Sequence, residues 1–256
     1  MLPRTMEALV TSDLDLGYLA HRAGEVQPGV VVIHDVWGLS DHYRDLARRL
    51  AADGFAALAV DLYRRTPAPK ITDPGAWIRA LSDPQVIADV QGAVDFLAAH
   101  ASVAGRRIGV VGFCMGGTYA IHAAASCRGV SASVPFYGML SHEHGLLAPP
   151  KGESLDPARK PRSPLDAACA VRCPLLGCFG ADDPYVPTDD VQRFESISGS
   201  SGLLSENDLY GNSRLSARAN GPPSCAAHGA AAKSDPRDRF RLRAQSASTT
   251  CARSAH

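Results

Sequence analysis

The sequence predicts an α/β fold: a mostly parallel central sheet with helices on both faces. Three observations carry that expectation. Residues 29–36 (GVVVIHDV) form a continuous β-branched run, the pattern of a strand buried on both faces of a parallel sheet. Further apolar runs at 55–63, 107–113, 130–137 and 174–179 alternate with stretches of helical periodicity, the signature of repeated strand–helix units. The glycine-rich stretch GFCMGG at 112–117 joins one of these runs directly to a helical segment.

Taken in order, residues 8–22 alternate weakly and suggest an antiparallel pair at one sheet edge. After the first core strand, Asp41 is placed to cap a helix. Tyr43, Leu46, Ala47 and Leu50 fall at i, i+3, i+4 and i+7, and Gly54 stops it. Residues 55–63 are the second core strand. Val86, Ile87, Val90, Val94 and Leu97 share one helical face. Residues 107–113 form the third strand, 116–125 a small-residue helix, and 130–137 and 174–179 two more strands. Five prolines between 149 and 164 mark residues 141–170 as a long loop with little regular structure.

Composition narrows the function. Of 256 residues, 45% are hydrophobic and 20% charged, enough to build a core. Lys plus Arg and Asp plus Glu are both 26, giving zero net charge, which argues against nucleic-acid binding by counterion release. No apolar run approaches the ~18 residues of a membrane span, and residues 1–11 lack a signal-peptide core. The expectation is a soluble cytoplasmic protein with no membrane partner. Seven scattered cysteines do not read as a disulfide scaffold. Cys169 and Cys173 have no second pair or histidine cluster beside them, so no zinc site is expected there.

The chemistry concentrates where strands end. Residues 112–116 match a G-x-S-x-G nucleophile elbow with Cys114 in the serine position, after a strand and before a helix. The positive end of that helix favours a thiolate, and the Met115 N–H points where an oxyanion would form. The plain alternative is a packed structural cysteine in a glycine-rich turn. Residues 180–187 (GADDPYVP) follow a later strand and supply acids in the chain order nucleophile, acid, histidine; an Asp- and Pro-rich turn is the alternative. Residues 34–38 (HDVWG) end the first core strand, where a backbone N–H would complete an oxyanion hole. His34 and Asp35 are strand neighbours, so they point to opposite faces and do not form one acid–base pair.

Together HDVWG (34–38), VDLYRR (60–65), GFCMGG (112–117), FYG (136–138) and GADDPYVP (180–187) resemble the dienelactone hydrolase family of α/β-hydrolases. The resemblance implies an α/β-hydrolase fold and hydrolysis of a lactone or carboxylic ester, as of dienelactone to maleylacetate, without a cofactor. It implies Cys114 as nucleophile and Asp183 as triad acid, with Asp182 beside it. Val36 and Met115 would supply the oxyanion-hole N–H groups. Asp35 falls where the family usually has a Glu that holds the resting thiol and swings away. Arg65 would pair with a substrate carboxylate, implying an acidic small-molecule substrate, and Tyr137 would line the pocket. A broad carboxylesterase or thioesterase on the same scaffold is the alternative; an inactive pseudohydrolase that binds a small ligand or a partner is the other. Oligomeric state is not legible.

The composition breaks near residue 195. Residues 1–194 read as the hydrolase domain. Residues 195–256 hold 12 Ser and 7 Arg but only 7 Leu, Ile or Phe, and no Val, Met or Trp, which reads as a low-complexity, disordered tail. The resemblance calls for one more strand, a triad histidine in a G-H-x-F-like segment, and a final helix. After Asp183 only His228 and His256 remain. His228 fits the chain order but follows no apolar strand. The coincidence points to a reading frame shifted near codon 195, so that the last strand and helix are missing, and translation of the other two frames tests this. A triad short of its base drops kcat by ~10⁴, so the chain as written is expected to hydrolyse esters poorly.

Overall fold

The β-branched run becomes an interior strand of a six-stranded sheet. In chain order the strands are β1 (Leu9–Leu14), β2 (Gly17–Arg22), β3 (Gly29–Ile33), β4 (Ala56–Val60), β5 (Ile108–Phe113) and β6 (Val130–Phe136). They lie side by side as β1-β2-β4-β3-β5-β6. β4, β3, β5 and β6 are mutually parallel. β1 and β2 form the antiparallel pair expected from residues 8–22, with β2 also antiparallel to β4. The computed structural model describes residues 8–66 and 70–198. Chain contacts divide the molecule into Met1–Ser224 and Cys225–His256, and every described residue lies in the first unit.

Helices cover both faces of the sheet. α1 (Asp41–Ala52) packs Tyr43, Ala47 and Ala51 against Ala20, Val32, Ala57 and Ala59 on one face. α2 (Pro74–Ala80), α3 (Asp83–Ala99) and α4 (Met115–Ser126) meet Val31, Ile33, Leu58 and Val110 on the other. Adjacent strand residues point to opposite faces, so Val31 and Val32 anchor different layers. Two short helices complete the described chain, α5 (Pro164–Ala167) and α6 (Thr188–Ser198). Both pack on the far side of α4, where Ile121 and Ala124 meet Leu165, Phe179, Val191 and Phe194.

Several expectations need correction. α1 begins at Asp41 itself, with Ser40 in the cap position; the acid sits inside the first turn, where the helix dipole favours it. α2 was not expected, although Asp73-Pro74 is a start signal: the Asp73 carboxylate accepts the Ala76 N–H at 2.9 Å. The 141–170 loop is largely irregular but holds α5, whose Ser163–Asp166 capping box satisfies its first turn. α6 runs across the expected boundary at 194/195, burying Phe194 and Ser198.

The strand expected at 174–179 is only two isolated parallel bridges to β6, at Leu175 and Cys178. The cause is Pro135. Ser133 N–H donates to Pro174 O at 3.0 Å and Leu176 N–H to Ser133 O at 3.0 Å; Cys178 N–H donates to Pro135 O at 2.9 Å and Tyr137 N–H to Cys178 O at 2.7 Å. The one rung missing from this parallel ladder needs an N–H on residue 135, which proline lacks. The segment therefore runs alongside β6 in parallel, and its carboxyl end reaches the same sheet edge as the ends of β3, β5 and β6.

Candidate active site

Cys114 stands between β5 and α4 with φ 54 and ψ −117, a conformation that costs a non-glycine residue roughly 1–3 kcal/mol. Its N–H is tied to Phe136 O at 3.0 Å. The glycines around it are demanded by close approach. A Cβ at Gly112 would lie 1.9 Å from Gly116 O, and one at Gly116 would lie 2.3 Å from Ile33 O. Only bare backbone lets the turn wedge against β3 while the first turn of α4 folds back on β5.

The thiol is partly buried. Burial pushes its pKa up; a hydrogen bond from the Met115 N–H opposes this, and the carboxylates of Asp35 and Asp183 push it further up. The N-terminus of α4 supplies one N–H to the thiol, while desolvation and two carboxylates push its pKa the other way. Among the described groups acting on the thiol, none is a histidine.

The loop after β3 is held by two tyrosines. Tyr43 OH accepts the Asp35 N–H at 3.0 Å, and Tyr63 OH donates to Val36 O at 2.9 Å. The Tyr63 hydroxyl also lies 3.5 Å from Met115 Sδ, so it links the two residues expected to supply the oxyanion-hole N–H groups. His34 is fully buried. Its Nε2 accepts the Leu62 N–H at 3.2 Å, which leaves Nδ1 to donate to Asp35 O at 2.6 Å. Burial holds it neutral. It ties the ends of β3 and β4 together and takes no part in an acid–base pair, as its strand position implied.

Asp35 does not grip the thiol as the resemblance implied for this position. Its Oδ1 accepts the Trp37 N–H at 2.8 Å. One methylene shorter than Glu, the side chain caps its own loop and acts on Cys114 through its charge. Asp183 likewise shapes its turn, accepting the Tyr185 N–H at 2.8 Å. It lines a cavity of about 410 Å³ with Phe136, Tyr137, Cys178, Phe179 and Asp182. Tyr137, itself at φ 40, lines the same cavity.

Arg65 is placed otherwise. Both of its terminal nitrogens bind Asp89, at 2.6 and 2.5 Å. Arg64 joins the same carboxylate at 3.0 Å and reaches Asp15 at 2.9 Å. A bidentate guanidinium–carboxylate pair is a strong, directional contact, and it occupies the cation expected to meet a substrate carboxylate. Asp89 was missed from sequence, although a signal existed: it interrupts the apolar face formed by Val86, Val90 and Val94. His228 lies outside the described residues.

A mostly parallel sheet with a strained cysteine at a strand–turn–helix junction and an acid on a later turn at the same edge is the arrangement of an α/β-hydrolase fold. The chain belongs to the dienelactone hydrolase family, whose sequence profile matches residues 16–234, a span that includes His228. It is 32% identical over 170 residues to a Bradyrhizobium protein named "Probable 2-oxo-3-(5-oxofuran-2-ylidene)propanoate lactonase", covering 65% of this chain and 64% of that one. It is 29% identical over 191 residues to the "Putative carboxymethylenebutenolidase" of Escherichia coli K12, covering 72% and 65%. The chain thus spans a little under two thirds of the length of these relatives. Among solved structures, the "Putative Dienelactone Hydrolase" of Klebsiella pneumoniae superposes with a TM-score of 0.64 at 26% identity, covering 78% of this chain and 85% of that one. No helix among the described residues is long and apolar enough to cross a membrane.

Proposed function

We propose that this chain is a cysteine-dependent hydrolase of lactones or carboxylic esters. Cys114 loses its proton to a base, and the thiolate attacks the substrate carbonyl. The Val36 and Met115 N–H groups hold the oxyanion. The ester oxygen leaves with a proton, giving a thioester on Cys114, and a water deprotonated by the same base releases the acid and restores the thiol. His228 is the base assigned by chain order, oriented by Asp183. The observation that carries this reading is the strained position of Cys114 at the strand–helix turn, kept in place by two glycines that tolerate no side chain. The upward push of burial on the thiol pKa supports a base in generating the thiolate.

The test is hydrolysis of p-nitrophenyl acetate and of dienelactone by the full chain and two variants. Parent turnover is expected to be slow. Cys114→Ala should abolish it, and His228→Ala should lower it by a further ~10²–10⁴. Turnover surviving in Cys114→Ala overturns the nucleophile. Unchanged turnover in His228→Ala overturns the base alone.

A further inference from the structure

Among the described residues, the charged lining of the cavity beside Cys114, whose N–H donates to O of the lining residue Phe136, is of one sign. Among the described residues its charged lining is Asp182 and Asp183; Asp183 and Asp35 both act by charge on the Cys114 thiol. The cation that would offset them, Arg65, is held two-pronged by Asp89. Phe136, Tyr137 and Phe179 add aromatic surface to the same lining.

The sheet edge around Cys114 is also where the large exposed aromatic side chains gather. Trp37 follows β3 and is 62% exposed; Tyr137 follows β6 and is 46% exposed; Tyr185 follows the 174–178 segment and is 51% exposed. These strands run parallel to one another and to β5, so all three residues and Cys114 lie at one edge. Exposed aromatic surface clustered at a pocket mouth marks a binding surface. We infer that this site selects uncharged esters with an aromatic or alkyl acyl group, and discriminates against substrates bearing a carboxylate near the reacting carbonyl. Like charges in a half-enclosed cavity repel an anionic substrate, and flat rings give an apolar acyl group offset-stacked and edge-to-face contacts. The inference rests on Cys114 being the attacking group.

A test that needs no turnover is the rate at which Cys114 is alkylated. The thiolate displaces iodide from the reagent CH₂, forming a thioether, and the thiol proton goes to solvent. Three reagents are compared: neutral iodoacetamide, anionic iodoacetate and aromatic N-benzyliodoacetamide. Labelling is read at Cys114 by peptide mass spectrometry, with N-acetylcysteine amide as the reference thiol. At about 0.01 M salt, where the screening length is about 30 Å, the iodoacetate/iodoacetamide rate ratio should fall on the order of tenfold below the reference. That corresponds to about two- to threefold for each of Asp35 and Asp183, which act on the thiol, and for Asp182 in the cavity lining. Asp182→Asn, at an exposed position, should recover about two- to threefold. N-benzyliodoacetamide should outpace iodoacetamide, and Trp37→Ala should remove about two- to tenfold of that advantage. An iodoacetate ratio equal to or above the reference overturns the charge preference and leaves the nucleophile standing. Refusal of Cys114 to react with any of the three at pH 9 in the folded protein overturns the nucleophile itself, and the preference with it.

Discussion

Cys114 is governed by its neighbours more than by its place on the helix. The N-terminus of α4 contributes a hydrogen bond from Met115 N–H, but burial and the carboxylates of Asp35 and Asp183 decide the direction of its pKa. Asp35 is the informative partner, because its charge faces the thiol while its Oδ1 is occupied by the Trp37 N–H. Asn at this position keeps the amide oxygen that accepts that bond and removes the charge. A carboxylate disfavours a second negative charge beside it, so Asp35→Asn should lower the thiol pKa. The pH profile of iodoacetamide labelling at Cys114 should then shift to lower pH, with faster labelling at neutral pH. A profile that stays in place or moves up would show that the Asp35 charge does not reach the sulfur.

Among the elements, the long loop between β6 and the 174–178 segment depends on one buried ion pair. Lys160 Nζ donates to Asp83 Oδ1 at 2.6 Å, and Tyr119 OH donates to the same oxygen at 2.8 Å. The Lys160 and Asp83 side chains are 1% and 5% exposed. The three residues come from the loop, the start of α3 and the middle of α4. Removing one partner of a buried pair strands the other charge, at about 3–5 kcal/mol. Lys160→Ala should therefore lower Tm by roughly 6–20 °C, at about 2–4 °C per kcal/mol for a domain of this size. Lys160→Met combined with Asp83→Asn should recover much of the loss; a Tm unchanged in the single variant would remove the pair from the account. This pair was not legible in sequence, since Lys160 and Asp83 are 77 residues apart and neither belongs to a motif. The same holds for Arg65. The sequence displays a cation at a family position, but only the fold brings Asp89 onto it. What was legible is local. β-branched runs became β3, β5 and β6, and the spacing of Val86, Val90, Val94 and Leu97 became the buried face of α3. The elbow glycines stood where backbone contact requires them. The 174–179 strand was over-read because its ladder depends on an N–H that Pro135, on the neighbouring strand, does not have.

At the scale of the whole molecule, acid should unfold the protein in a window set by its buried histidines rather than its carboxylates. His122 sits in the middle of α4, 3% exposed. Burial pushes its pKa down to about 4; Asp83 pulls the other way, and Lys160, Arg162 and His142 add to the lowering. His34, beneath the site loop, is lowered by burial in the same direction. A histidine whose folded pKa lies below its unfolded value of about 6.5 is neutral in the fold where the open chain would bind a proton. Its contribution is fully present above pH 6.5 and is lost as the pH falls from there toward 4. For His122 the loss amounts to about 3 kcal/mol. A Tm that begins to fall between pH 6.5 and 5 lies in the window set by the histidine reference value of about 6.5 and so reports the histidines. His122→Gln cannot take up that proton and should flatten the Tm–pH curve across this window, even if its Tm at pH 7.5 is lower than the parent's. A parent Tm constant from pH 7 to 4.5, or a slope untouched in His122→Gln, would mean that this ring is protonated at no cost to the fold. Because Cys114 caps the N-terminus of α4, alkylation of the strained thiol in acid should follow the same curve: the elbow holds its geometry only while the helix behind it stays packed around a neutral ring.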